Sequence, residues 1–331
     1  MNASSDPVSL ALIGCGGIAQ THLEAIGRVP QVRLAAVCDT RADLAAAAAG
    51  KYGVPAVSSV DAILKDKEIR AILVCVPPAH HFDLMKKAVA AGKSVLCEKP
   101  FTLSVKEAET IRALSAAAGT LVMMASKFRF VQDVIEARKF IQSGTIGDLI
   151  LSEVIFCSVV NMEGRWNSDA RVAGGGVLID NGSHAVDVIR YVVGPIRSVY
   201  AQAGKRTQNV RVEDTARLHF ETDGGVIGMV DLSWSLYKHT PNYVNLFGTK
   251  GTVEVGWAQS LIWDAGEKTS RVFGNGYKKL DAFVNQIRHF ADCIQKKTDP
   301  ILGIEDAVES VRVIETAYRS ISEKKWLKVR G

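Results

Sequence analysis

Ala11-Leu12-Ile13-Gly14-Cys15-Gly16-Gly17-Ile18-Ala19 is the stretch that decides the fold. The apolar run Val8–Ile13 reads as a buried strand and feeds a glycine turn that fits G-x-G-x-x-A, with a helix expected over Ala19–Arg28. Gly14 permits the tight turn, Gly16 lets the backbone approach a pyrophosphate, and the small Ala19 lets helix and strand pack closely. With Gly17 and Ile18, these residues form a candidate phosphate cradle. The helix N-terminus offers it unpaired N–H groups and the positive end of the helix dipole. Asp39 follows the next expected strand, Val32–Cys38, where a carboxylate would accept hydrogen bonds from the adenosine ribose hydroxyls. That carboxylate repels a 2′-phosphate, so NAD is expected over NADP. Arg41, two residues on, could lie over the adenine or screen a phosphate.

Outward from this turn, β-branched runs alternate with alanine-rich helical stretches. Strands are expected at Ala71–Val76, Ser94–Cys97 and Leu121–Ala125. Helices are expected at Arg41–Tyr52, Val60–Lys65, Phe82–Ala91 and Leu103–Ala118, the last opened by a Ser104/Glu107 capping box. The pattern implies a doubly wound parallel sheet, an α/β Rossmann domain over residues 1–125. After about residue 126 the pattern changes. A helix is expected at Asp133–Gln142. Then come period-2 runs: Leu149–Val160, Ile196–Ala203, Thr215–Thr222, Val226–Trp234, Tyr243–Phe247 and Thr252–Val255. Asp223-Gly224-Gly225 and Thr249-Lys250-Gly251 suit hairpin turns, and helices Leu280–Gln295 and Ile304–Ser322 close the chain. Residues 126–331 thus read as an α+β domain with a large, mainly antiparallel, open-faced sheet. Such a face exposes more apolar surface than a monomer keeps, so a homo-oligomer, dimer or tetramer, is expected.

The composition agrees with two folded domains. Of 331 residues, 47% are hydrophobic and 23% charged, which excludes disordered and collagen-like classes. The net charge is +5, and the charges are scattered singly, which points to neither a nucleic-acid partner nor a membrane surface. Met1 to Pro7 lack the basic start and apolar run of a signal peptide, and no apolar run reaches the ~18 residues of a membrane span, so a cytoplasmic protein is expected. Six cysteines stand singly, without CxxC pairs, and read as reduced thiols. No Cys/His spacing suggests a metal.

Further along, Glu98-Lys99-Pro100 places charge at the carboxyl end of a buried strand, where open α/β sheets bind ligands. Upstream stands Val76-Pro77-Pro78-Ala79-His80-His81; downstream stand Gly174-Gly175-Gly176 and Asp180-x-Gly182-x-His184-x-x-Asp187. Fingerprint, P-x-x-x-H, E-K-P and G-G-G-x-x-x-D-x-G-x-H in this order resemble the glucose–fructose oxidoreductase/inositol dehydrogenase (Gfo/Idh/MocA) family, over nearly the whole chain.

The resemblance implies an NAD(P)-dependent dehydrogenase acting on a CH–OH group, a secondary alcohol of a sugar or cyclic polyol: an inositol, an aldose, or an acidic or nucleotide sugar. Lys99 would hydrogen-bond the reacting hydroxyl, His184 would accept its proton, and Asp180 would line the same pocket. Pro77, His81, Glu98 and Lys99 would border the cofactor, and Pro100 would follow a cis peptide. The residue chemistry agrees. Hydride leaves a carbinol carbon as its hydroxyl proton leaves, which calls for a base such as histidine, and an ammonium stabilises the charge developing on oxygen. Asp180 and His184 share a face if Val177–Val192 is helical, though Asp180 could instead cap that helix. The glycine triplet suits a close backbone approach to ligand. Asp187 either orients His184 or lies on the helix surface.

Two departures from the family pattern bear on the substrate: Val76 stands where many relatives carry Thr, and Lys127 where Asn is commoner. Arg129, Arg165, Arg171 and Lys127 would suit an acidic or phosphorylated sugar if they face the pocket, and Trp166 could stack on a pyranose ring. The alternative from another class is a non-catalytic dinucleotide-binding sensor or regulator on the same fold.

Overall fold

In the computed structural model, which describes residues 6–296 and 298–329, the chain divides into two compact units. One is the chain up to Lys127 together with Lys279–Val308; the other is Phe128–Lys278 with the chain from Glu309. Met1–Ser5, on which part of the leader expectation rests, lie outside the described residues.

The first unit is built from β1 (Val8–Ile13), α1 (Gly17–Ile26), β2 (Val32–Cys38), α2 (Ala42–Tyr52), α3 (Val60–Lys65), β3 (Ala71–Val74), α4 (His81–Ala90), β4 (Ser94–Glu98), α5 (Val105–Ala118) and β5 (Val122–Ala125). Its five strands are all parallel, in the order β2-β1-β3-β4-β5. β1, β3 and β5 are buried along their whole lengths, the mark of a sheet covered on both faces and the reason these strands read as continuous apolar runs. The Ser104 half of the capping box expected at α5 forms, Ser104 Oγ accepting the Glu107 N–H at 3.3 Å, while Glu107 Oε2 accepts the N–H of Leu103, the residue before the cap, at 3.1 Å. The strand order reverses direction between β1 and β3, so the ligand crevice of this doubly wound sheet lies beyond their carboxyl ends.

The second unit holds α6 (Gln132–Gln142), β6 (Leu149–Cys157), α7 (Ala170–Ala173), α8 (Val177–Val192), β7 (Ile196–Ala203), β8 (Thr215–Thr222), β9 (Ile227–Ser233), β10 (Asn242–Gly248), β11 (Gly251–Gly256), β12 (Ser260–Asp264) and β13 (Thr269–Gly274). After α9 (Lys279–Lys296) and α10 (Ile304–Glu323) comes β14 (Leu327–Lys328). The nine strands run β13-β12-β11-β10-β6-β9-β8-β7-β14, with β6 and β9 parallel and the other neighbours antiparallel. On β8, Ala216, Leu218, Phe220 and Thr222 point into the core, and α8 packs over β6, β8 and β9. The opposite face is mixed: Leu151, Phe247, Thr252 and Trp263 sit in register across four strands, and charged Arg217, Asp231 and Lys238 lie nearer the middle.

Two expectations are corrected. A single cut at residue 125 misses the return of the chain to the first unit, where α9 packs its apolar side, including Phe283 and Ile287, against α1. Periodicity shows that α9 is amphipathic but not which core it covers. The hairpin strands β12 and β13 were not expected, because β13 is exposed over most of its length and lacks apolar alternation.

Candidate functional site

In the first unit, the turn after β1 has the geometry its sequence requires. Gly14 has φ +92°, and a Cβ there would stand 2.5 Å from the Cys75 carbonyl oxygen at the end of β3, so only glycine fits. A Cβ at Gly16 or Gly17 would meet no atom within 4 Å, which leaves the space over the turn open to a ligand. α1 starts at Gly17, with Gly16 as its N-cap, no side-chain cap and no acidic residue in its first turn. Its first N–H groups thus suit a phosphate. Asp39 ties the loops together: Oδ2 accepts the Cys15 N–H at 2.6 Å and Oδ1 the Arg41 N–H at 2.8 Å. Burial, then the Asp39 carboxylate, push the Cys15 thiol up to about 11. The exposed Arg41 guanidinium pairs with Asp43 at 2.6 Å. These residues fit a dinucleotide: an open glycine cradle at a bare helix N-terminus, with a carboxylate at the end of β2.

At the carboxyl end of β4 the peptide between Lys99 and Pro100 is cis, as the family resemblance implied. Lys99 is half-buried. Its two expected neighbours at the cofactor, Glu98 and His81, are both buried and engaged by the protein's own groups. Glu98, 7% exposed, accepts from His22 at 2.7 Å through Oε1 and from the Lys99 N–H at 3.1 Å through Oε2. Burial pushes the Glu98 carboxyl up, but His22, then Lys99 and Lys127, outweigh it, and its pKa lies below the usual value. His81 is fully buried, with Nδ1 2.8 Å from the Pro100 carbonyl oxygen and Nε2 2.9 Å from that of Val76. It braces two turns from within. Burial holds its pKa below the ordinary histidine value against the pull of those carbonyls. Pro77 is half-buried in the turn before α4. His22 was not singled out in the sequence: it stands on the apolar face of α1, where a histidine reads as core.

In the second unit, α8 spans Val177–Val192 and carries Asp180 half-buried in its first turn and His184, 9% exposed, one turn on. Asp180 does not cap the helix. Gly176 is the N-cap residue, and the Glu213 carboxylate supplies the cap, Oε1 accepting the Gly176 N–H at 3.0 Å, the Leu178 N–H at 3.1 Å and the Tyr318 hydroxyl at 2.7 Å. Burial, then Glu213, push the Tyr318 hydroxyl far above its ordinary pKa. This also corrects the reading of the glycine triplet. A Cβ at Gly175 would strike the Tyr318 hydroxyl, and one at Gly176 the Glu213 carbonyl, so the close approach at these two is to the protein itself. His184 meets the Phe128 ring edge-on, centroids 5.1 Å apart, in a cluster with Phe156, Tyr243 and Tyr277.

Arg129, expected at the substrate, is instead 2% exposed and gripped by Asp187, itself fully buried: Nε lies 2.9 Å from both carboxylate oxygens and Nη2 2.7 Å from Oδ1. Asp187 thus pairs with Arg129 and does not lie on the helix surface. Arg171 pairs with Asp169 at 2.8 Å and Lys127 lies over the Phe283 ring at 5.7 Å, while Arg165 and Trp166 are exposed at the start of a short 3₁₀ turn. All six cysteines are free thiols. Among the described residues no helix is long and apolar enough to cross a membrane, and no cluster of three His, Cys, Asp or Glu side chains could hold a metal.

Residues 8–126 match the model of an oxidoreductase family with an NAD-binding Rossmann fold, and residues 134–254 match the Gfo/Idh/MocA C-terminal domain. The chain belongs to the Gfo/Idh/MocA family. Within it, the chain is 25% identical to an inositol 2-dehydrogenase of Rhizobium meliloti, covering 97% of this chain and 99% of that protein. It is also 25% identical to a scyllo-inositol 2-dehydrogenase (NAD(+)) of Bacillus subtilis over 92% of each. The structure of a levoglucosan dehydrogenase in complex with NADH has the same fold, with TM-score 0.92, 19% identity and coverage of 98% and 99% of the two chains.

Proposed function

We propose that this family member is an NAD-dependent dehydrogenase that oxidises a secondary alcohol of a sugar or cyclic polyol to a ketone. The observation that carries the reading is Lys99, presented by the Glu-Lys-Pro turn at the carboxyl end of β4, beside the strand pair whose ends frame the glycine cradle. When bound, the nicotinamide serves as hydride acceptor. Lys99 hydrogen-bonds the substrate hydroxyl and stabilises the negative charge that grows on its oxygen. His184 takes the hydroxyl proton as the C–H bond breaks and the C=O bond forms. Asp180, on the face of α8 it shares with His184, orients the substrate. Gly14, Gly16, Gly17, Ile18 and Ala19 would hold the pyrophosphate, and Asp39 the adenosine ribose. NAD is favoured over NADP because Asp39 brings a carboxylate to the ribose while the nearby Arg41 guanidinium is engaged by Asp43. The names of the inositol dehydrogenase relatives support a polyol substrate.

The test is reduction of NAD, followed by absorbance, across inositols, aldoses, uronates and nucleotide sugars. Turnover that is lost in Lys99→Ala supports the reading. Dinucleotide binding with no turnover on any of them contradicts it and favours a sensor.

Copies of the chain associate through the open sheet face. The register carries its row of Leu151, Phe247 and Trp263 on to the exposed Ile227, and the basic Arg217 and Lys238 on the same face are already paired with Asp231, which leaves the apolar row as the part a second copy would cover. Light scattering that finds a monomer at micromolar concentration contradicts this.

A further inference from the structure

We propose that His22 is a positioning residue for Lys99, acting through Glu98: the histidine fixes the carboxylate, and the carboxylate fixes the peptide nitrogen from which the lysine side chain is presented. The inference rests on the role given to Lys99 above and adds a residue that touches neither substrate nor cofactor.

Three observations carry it. First, the chain of contacts is continuous and short: His22 Nε2 to Glu98 Oε1 is 2.7 Å, and the Lys99 N–H donates to Glu98 Oε2 at 3.1 Å. Second, the histidine has nowhere to move. It is fully buried on α1, and the Phe283 ring of α9 meets its ring edge-on with centroids 4.7 Å apart. Third, the same turn is held on its other side, where the Pro100 carbonyl lies against buried His81. A carboxylate at 7% exposure is costly unless partnered. Here both its oxygens are used to tie the turn that carries the lysine to the helix that opens at the glycine cradle. Anchoring both to one buried pair keeps Lys99 in register with the phosphate site, the pre-organisation that hydride transfer needs.

The test compares His22→Leu and His22→Gln in the full chain; glutamine keeps an Nε2 donor and leucine does not. With the polyol found by the substrate survey, His22→Leu is expected to lower kcat about 10- to 100-fold with KM for NAD changed less than about threefold, and His22→Gln to recover most of the loss. In a Lys99→Ala background His22→Leu is expected to add less than about a twofold further loss. Hydrogen exchange at the Lys99 amide, which needs no substrate, is expected to quicken in His22→Leu and not in His22→Gln. If His22→Leu does not fold, Glu98→Gln, which keeps the shape and weakens both contacts, replaces it in the same measurements. Unchanged kcat in His22→Leu, an additive loss on top of Lys99→Ala, or unchanged Lys99 exchange overturns the inference alone. Full turnover in Lys99→Ala overturns the role of Lys99 and the inference with it, so the two failures are distinguishable.

Discussion

Replacing Asp187 by leucine leaves the Arg129 guanidinium, 2% exposed, without its carboxylate. Three contacts between 2.7 and 2.9 Å are lost at once. Breaking a buried ion pair from one side destabilises by about 3–5 kcal/mol, mostly through the stranded charge. With a urea m-value of about 2 kcal/mol/M for a domain of this size, the midpoint falls by ~1.5–2.5 M. The assay is selective, because all five tryptophans (Trp166, Trp234, Trp257, Trp263 and Trp326) belong to the second unit, so their fluorescence follows the unit that holds the pair. Arg129→Met is expected to fall by a similar amount. The double variant, which replaces both charges with apolar groups, is expected to return to within about 1–2 kcal/mol of the parent. Arg171→Met, at an exposed pair, is expected to leave the midpoint where it was. If Asp187→Leu and Arg129→Met each cost under about 1 kcal/mol, the buried pair does not hold the second unit together, and Arg129 returns as a candidate for substrate contact.

Asp39→Ser is expected to lower the NAD-over-NADP preference about tenfold, ~1.4 kcal/mol, in binding titrations with both cofactors; no change would remove Asp39 from the ribose site. Glu213→Ala strips the cap from α8 and the partner from Tyr318, and is expected to cost about 2–4 kcal/mol in the tryptophan-monitored urea transition, with kcat falling as the start of α8 loosens. Tyr318→Phe removes one of those donors and is expected to cost only about 1 kcal/mol. The Asp214 carboxyl is pushed up by burial but held lower overall by the N–H groups of Gln208 and Thr207 and the hydroxyls of Ser235 and Thr207. Its folded pKa is therefore below the unfolded value of about 3.9, so its contribution is complete above that pH and is lost as pH falls through the folded value. Urea midpoints taken from neutral pH into acid are expected to fall less steeply in Asp214→Asn, with no difference on the alkaline side.

Much of the fold was legible because its signals are local. The turn at Gly14 needs glycine for steric reasons that a sequence pattern carries, and β1, β2, β7, β8 and α8 begin and end where their apolar periodicity does. What was not legible depends on partners distant in sequence. Arg129 and Asp187 are 58 residues apart, and nothing in either segment says that each is the other's counter-ion. His22 and Glu98 are separated by 76 residues. The triplet at Gly174 looked like a ligand approach because the groups that crowd it, Glu213 and Tyr318, lie far along the chain. α9 has the periodicity of any amphipathic helix, and only packing assigns it to the first unit. Among the site residues, the motif placed Lys99, Asp180 and His184 on the elements expected. It did not show the partners of Glu98 and His81, whose carboxylate and ring atoms are taken up by the protein's own groups.

The central claim is that Lys99 and His184 serve hydride transfer from a polyol carbon to NAD. It is tested most directly by incubating the protein with NAD and a polyol fully deuterated on carbon, then measuring the mass of the reduced cofactor. The account predicts reduced nicotinamide carrying one deuterium from the substrate, formed at least about a hundredfold more slowly by both Lys99→Ala and His184→Ala. Reduced cofactor without the label, or undiminished transfer in both variants, would contradict it.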